Sequence, residues 1–208
     1  MINATKAISM NLALKPFNFG GVMDAIDGIQ RRLERFTSAL ENAGVPYAIV
    51  GGNAVAHLVS RIQPAAVRFT KNVDVLLRKE DLVAAGEAVK SAGFIYRHAA
   101  TIDFFLDGSD SSFEEAVHVV RANEKVRKEY LLPAPDVTLS VSTGAYKVLD
   151  LDGLIQMKLT SFRKRDQVHV EDMIQIGLID TSWIERVAPE LKSRLAQIFD
   201  ELEPEFRP

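Results

Sequence analysis

Tyr47-Ala48-Ile49-Val50-Gly51-Gly52-Asn53 reads as a short buried strand that stops on two glycines and turns directly into a helix. The helix runs from Asn53 to Arg61, with Asn53 as a candidate N-cap. Glycine at such a turn lets the backbone approach a ligand closely. The free amides of the helix start attract an anion such as a triphosphate. Glycine also occupies many strand–helix turns for steric reasons alone, and that is the more ordinary reading. What faces the turn therefore decides both the fold and its use.

Upstream, Val22, Ile26, Ile29, Leu33, Phe36 and Leu40 recur at steps of four and three, which predicts a helix of about six turns ending near Gly44. Residues 1–21 read as an irregular arm. Downstream, Val73, Val75 and Leu77 predict a strand over 71–78. A helix over 80–92 stops at Gly93 and is followed by strands at 94–97 and 101–106. The polar run Gly108 to Ser112 is a loop by composition, and 116–121 and 137–141 have strand character. From Leu151 the pattern is helical to the end. This order predicts an α+β fold, a mixed β-sheet flanked by helices, with a core over 22–148 and a C-terminal helical region over 149–208 packed on it.

The chain has 208 residues, a net charge of −3 and no cysteine. Length allows one full domain with a helical appendage. The mild charge argues against broad nucleic-acid binding, and the missing cysteines remove disulfides, thiolate metal sites and cysteine nucleophiles. No apolar stretch approaches a membrane span and no signal-peptide pattern is present, so the expected location is cytoplasmic. The histidines at 57, 98, 118 and 169 form no ligand spacing, and no serine–histidine–acid set supports a hydrolase.

Four features point to chemistry. Beside the glycines, Asn72 and Asp74 lie two apart on a strand, so their side chains share a face about 7 Å apart at the backbone. Such oxygens hold Mg²⁺, although Asn72 brings no charge. Asp103 sits in an apolar strand and needs a partner there. A strand neighbouring Asp74 would set the two acids side by side and favour a divalent cation; a solvated face is the alternative. On a helix over 151–165, Leu151, Leu154, Ile155 and Phe162 fall within about 60° of Lys158, which predicts an inward-pointing lysine with Arg165 on the same side. It is either snorkelling at the core's rim or binding phosphate. Asp166 is a candidate N-cap for the next helix, and Asp172 a candidate partner for Arg165.

Gly51-Gly52, then Thr70-Lys71-Asn72-Val73-Asp74, then Ile102-Asp103-Phe104 resemble the polymerase-β-like nucleotidyltransferase superfamily. The block from Leu154 through Lys158 and Arg165-Asp166 to Asp172 resembles the lysine-bearing helical block of its bacterial branch related to AbiEii-type proteins. The resemblance covers roughly 45–180. It implies a nucleotidyltransferase-type sheet, with Asp74 and Asp103 as catalytic acids. It also implies a Mg²⁺ (or Mn²⁺) site on Asn72, Asp74 and Asp103, and a nucleoside triphosphate held by Gly51, Gly52, Lys158 and Arg165. The nucleotide would pass to a hydroxyl on an RNA, a protein or a small molecule, with a partner protein of a two-component system as a further expectation. The family has an acid where Asn72 stands. The alternative is thus a degenerate member kept as a binding or regulatory module. Segments 107–115 and 121–136 are the candidates for shaping acceptor choice.

Overall fold

A computed structural model of the chain describes residues 18–202. Helix α1 spans Phe19–Asn42, and Asn18 caps it by accepting from the Gly21 amide at 3.1 Å. The end of the expected arm is thus helical, because Asn18 satisfies an amide that Gly20 and Gly21 would otherwise expose. The rest of that arm lies outside the described residues. Strand β1 (Ala48–Val50) leads into α2 (Gly51–Ser60), and β2 (Val73–Leu77) into α3 (Leu82–Lys90). The hairpin β3 (Phe94–Ala99) and β4 (Ile102–Asp107) precedes β5 (Val117–Arg121). Then come β6 (Ser140–Ser142), β7 (Lys147–Leu149), α4 (Leu151–Ser161), α5 (Lys164–Gln175), α6 (Trp183–Arg186) and α7 (Lys192–Glu201).

The seven strands form one mixed sheet in the order β3-β4-β5-β2-β1-β7-β6. β2 pairs in parallel with β5, and β1 with β7; the other neighbours are antiparallel. The α+β class expected from the sequence is the one found: a mixed sheet, flanking helices and a helical C-terminal region. Ile49, Val73, Val75, Leu77, Phe105, Val117 and Val148 project to one face and meet α1, α2, α3 and the C-terminal helices in a single large core. Phe36 anchors it, its ring edge-on to Phe94 and Phe105 with both centroids at 5.1 Å. Truncating so enclosed a ring costs about 3–5 kcal/mol. On the other face Ala48, Val50, Leu76, Ala122, Ala134, Val137 and Leu149 form a smaller core.

Three boundaries differ from expectation. The α2 helix begins at Gly51 rather than after Asn53, and the Asn53 side chain donates instead to the Asn72 carbonyl at 2.6 Å. The strand expected at 137–141 is a 3-10 turn at Val137–Leu139 followed by β6, and β7 was not anticipated. Three residues are too few for an alternating pattern to show. The helix expected over 151–165 ends at Ser161, where Phe162 turns left-handed (φ 49°) and its amide closes on the Lys158 carbonyl at 2.9 Å. That left-handed cap is made by a phenylalanine, which gives none of the signal of glycine or asparagine. Among the described residues no helix is long and apolar enough to cross a membrane.

Candidate functional site

Residues paired across a sheet share a face, and successive residues alternate. The register Val50↔Asp74, Asp74↔His118 and Phe104↔His118 therefore puts Val50, Asp74, His118 and Phe104 in a row on the face of the smaller core. At the end of β1 that row meets the glycine turn. Gly51 has φ +69°, and a Cβ there would overlap the Asp74 carboxylate, standing 3.0 Å from its Cγ. A Cβ on Gly52 would come within 2.7 Å of Thr70 Cγ2. Both glycines are thus required by the chain's own close approach: the turn lies directly on Asp74 and on the residues leading into β2.

Asp74 is partly buried and accepts no side-chain hydrogen bond from a described residue. Burial raises its pKa, against the opposing pull of His118, Lys158 and Arg163. Val50, at the N-cap of α2, offers no side-chain cap to the first helical amides. An uncapped helix start over an unpartnered carboxylate is a polar centre left open by the fold.

The cationic side comes from α4 and α5. Lys158 is buried, and its ammonium donates to Asp166 at 2.9 Å. Burial lowers its pKa, while Asp166 and Asp74 work against that. Asp166 also accepts from Ser161 at 2.6 Å and from Arg163 Nε at 2.8 Å. Burial alone would raise the Asp166 pKa; these donors, with the Lys158 charge, hold it down at about 2. The Arg163 side chain is 61% exposed, and its terminal nitrogens make no hydrogen bond to a described residue. His118 lies beside Asp74, its Nε2 at 2.9 Å from the Phe113 carbonyl. A carbonyl only accepts, so Nε2 carries the proton.

Lys158 thus points inward, onto Asp166, within electrostatic reach of Asp74. Asn72 stands just ahead of β2, its carbonyl tied to Asn53. Arg165 does not join the site: the chain breaks at Phe162, so Arg165 lies on α5 and is exposed. Asp172 pairs with Arg68 at 2.7 and 3.1 Å rather than with Arg165. Asp166 sits inside the first turn of α5 instead of capping it, the N-cap being Arg163.

Asp103 corrects the expectation most sharply. It neighbours Phe104, which shares the face of Asp74, so Asp103 projects to the opposite face, with β5 between the two acids. There it accepts from Tyr96 Oη at 2.6 Å and from Arg121 at 2.6 and 2.7 Å, and meets His98 Nδ1 at 2.7 Å. Burial would raise its pKa, but these partners outweigh it and hold the carboxyl low. It is a saturated structural acid.

No protein-family model and no curated protein sequence matches the chain. Solved structures similar to it include a candidate nucleotidyltransferase from H. pylori, with 16% identity over 86% of this chain and 77% of that one and a TM-score of 0.49. The antibiotic-resistance factor ANT(2'')-Ia in solution matches at 14% identity, 86% and 91% coverage and a TM-score of 0.47. ANT(2'')-Ia in complex with adenylyl-2''-tobramycin matches at 12% identity, 84% and 98% coverage and a TM-score of 0.48. Likeness at this level carries no functional conclusion, so the site rests on its own residues.

Those residues do not fit a pair of divalent ions. Two-metal chemistry holds two ions about 3.5–4 Å apart and needs several convergent anionic oxygens to do so. Here Asn72 is an amide, Asp103 faces away, and the charged groups acting on Asp74 are His118, Lys158, Arg163 and Asp166, the last already bonded to Lys158, Ser161 and Arg163. Among the described residues no three histidine or acidic side chains gather into a metal-holding group. A groove of about 350 Å³ between α3 and β3, lined by Leu82, Val83, Gly86, Phe94 and Tyr96 among others, lies on elements remote from Asp74.

Proposed function

We propose that this chain is a nucleotidyltransferase-like protein of the AbiEii-related branch that binds a nucleoside triphosphate, and that it is a binding or regulatory module rather than an active transferase. The phosphates lie at the start of α2, between the amides of Gly51 and Gly52 and the cations Lys158 and Arg163. One observation carries this reading: the uncapped N-terminus of α2 rests on Asp74, whose carboxylate accepts no side-chain hydrogen bond from a described residue and feels the charges of Lys158 and Arg163. Helix amides and guanidinium groups are the usual hosts of phosphate oxygens. A Mg²⁺ (or Mn²⁺) ion carried in by the nucleotide would find Asp74 as its one charged protein ligand, with Asn72 as an amide beside it, and would neutralise phosphate charge there. Asp103 on the opposite face and the amide at Asn72 favour the module over the enzyme. The active reading keeps Asp74 as the catalytic acid and passes the nucleotide to a hydroxyl on an RNA, a protein or a small molecule in the cytoplasm, alone or with a partner protein.

The test incubates wild type, Asn72→Asp and Asp74→Ala with α-labelled nucleoside triphosphates, Mg²⁺ or Mn²⁺ and total RNA, alongside a binding titration. Saturable binding without label transfer in wild type is expected. Transfer by wild type that disappears in Asp74→Ala overturns the module reading and leaves the enzyme. Absence of binding overturns both.

A further inference from the structure

Beyond the phosphates, the structure builds a flat aromatic surface next to the same carboxylate. Phe113 opens a single 3-10 turn, Phe113–Glu115, held by reciprocal hydrogen bonds between Ser112 and Glu115. Its ring stacks on His118 at 4.5 Å between centroids with an interplanar angle of 24°, and meets Phe104 edge-on at 4.9 Å. His118 is fixed from below by the Phe113 carbonyl and is the in-register neighbour of Asp74. The ladder is thus rigid, capped and continuous with the site. Phe113 nevertheless remains 47% exposed. An exposed aromatic ring over β5, with β2 between it and the glycine turn at the end of β1, matches the layout of a nucleotide, whose base lies a sugar's length from its first phosphate.

We infer that Phe113, stacked on His118, is the platform for the base of the nucleotide whose phosphates bind at Gly51, Gly52 and Arg163, so that the ligand is a nucleoside triphosphate rather than a bare polyphosphate. This rests on the nucleoside triphosphate proposed above and adds the residue that holds its base. Stacking is tolerant of base identity because each base has a π-face. Purines, with the larger ring, therefore bind more tightly than pyrimidines, without a strict requirement for one base. The segment 107–115, read from the sequence as shaping acceptor choice, would serve the donor nucleotide instead.

The test compares ATP, CTP and inorganic tripolyphosphate by calorimetric titration of wild type, Phe113→Ala and Phe113→Leu. Leucine keeps apolar packing against Phe104 but loses the flat face, and equal thermal midpoints for it and wild type exclude a folding defect. The expected result is ATP binding weakened by about ten-fold or more in both variants. Tripolyphosphate affinity stays within about two-fold, because phosphate contacts are made elsewhere. Unchanged ATP affinity in Phe113→Leu, or equal losses for ATP and tripolyphosphate, overturns the platform while leaving the phosphate site standing. Failure of wild type to bind any of the three overturns both.

Discussion

Replacing Gly51 by alanine tests the close approach on which the site depends, and Gly44 supplies its control. Both glycines are left-handed, with φ of +69° and +67°. A Cβ on Gly44 meets nothing within 4 Å, whereas on Gly51 it overlaps Asp74 and stands 3.2 Å from the Asp74 Cβ. Gly44→Ala should therefore cost only the left-handed strain, about 1–2 kcal/mol, less a few tenths regained from a stiffer unfolded chain. Gly51→Ala adds overpacking of about 1–3 kcal/mol, for a total of about 2–5 kcal/mol. At roughly 2–4 °C per kcal/mol for a chain of this length, the midpoint falls by about 2–8 °C for Gly44→Ala and about 4–20 °C for Gly51→Ala. Calorimetry and urea unfolding would measure both. In Gly51→Ala/Asp74→Gly the colliding side chain is gone, and the excess over Gly44→Ala should disappear as a coupling energy. Equal losses in the two single variants, or no recovery in the double variant, would refute the contact.

Further outcomes follow from the two acids and their neighbours. Asp103→Asn should cost about 2 kcal/mol or more in urea unfolding, because Arg121 loses its ionic partner; nucleotide affinity should not change. Lys158→Met leaves the buried Asp166 with only Arg163 and Ser161, and should destabilise by about 3 kcal/mol. His169 is buried with Nδ1 unpaired among the described residues, and burial, helped by Lys158, lowers its pKa to about 4. The unfolded state then holds the extra proton between about pH 6.5 and 4. Stability should be flat above that window and fall as pH drops through it, and His169→Gln should remove that slope.

The helices and strands of residues 22–106 were largely legible because each carries a full period of burial. The six-turn stripe from Val22 to Leu40 and the alternation at Val73, Val75 and Leu77 each point to one structure. Asp74 and Lys158 were legible for the same reason: a polar residue inside an apolar pattern stands out. The position of Asp103 was not. Its strand could be read, but which face it shows depends on β5 lying between β2 and β4, and strand order is a long-range property that no local pattern encodes. The same gap hid His118, whose place beside Asp74 follows only from the register of β5 on β2. Arg163 was missed because a left-handed Phe162 ended the helix four residues early, at Ser161, which handed its expected role to Arg165.

Which face of the sheet takes the proposed nucleotide, that of Asp74 or that of Asp103, decides whether the site is the one described above. Calorimetric titration of a nucleoside triphosphate into wild type, Arg163→Ala and Asp103→Asn addresses it directly. Saturable binding should weaken by about ten-fold or more in Arg163→Ala, as expected for loss of a charge-assisted phosphate contact, and stay unaltered in Asp103→Asn. Binding that survives Arg163→Ala but is lost in a folded Asp103→Asn protein would contradict it.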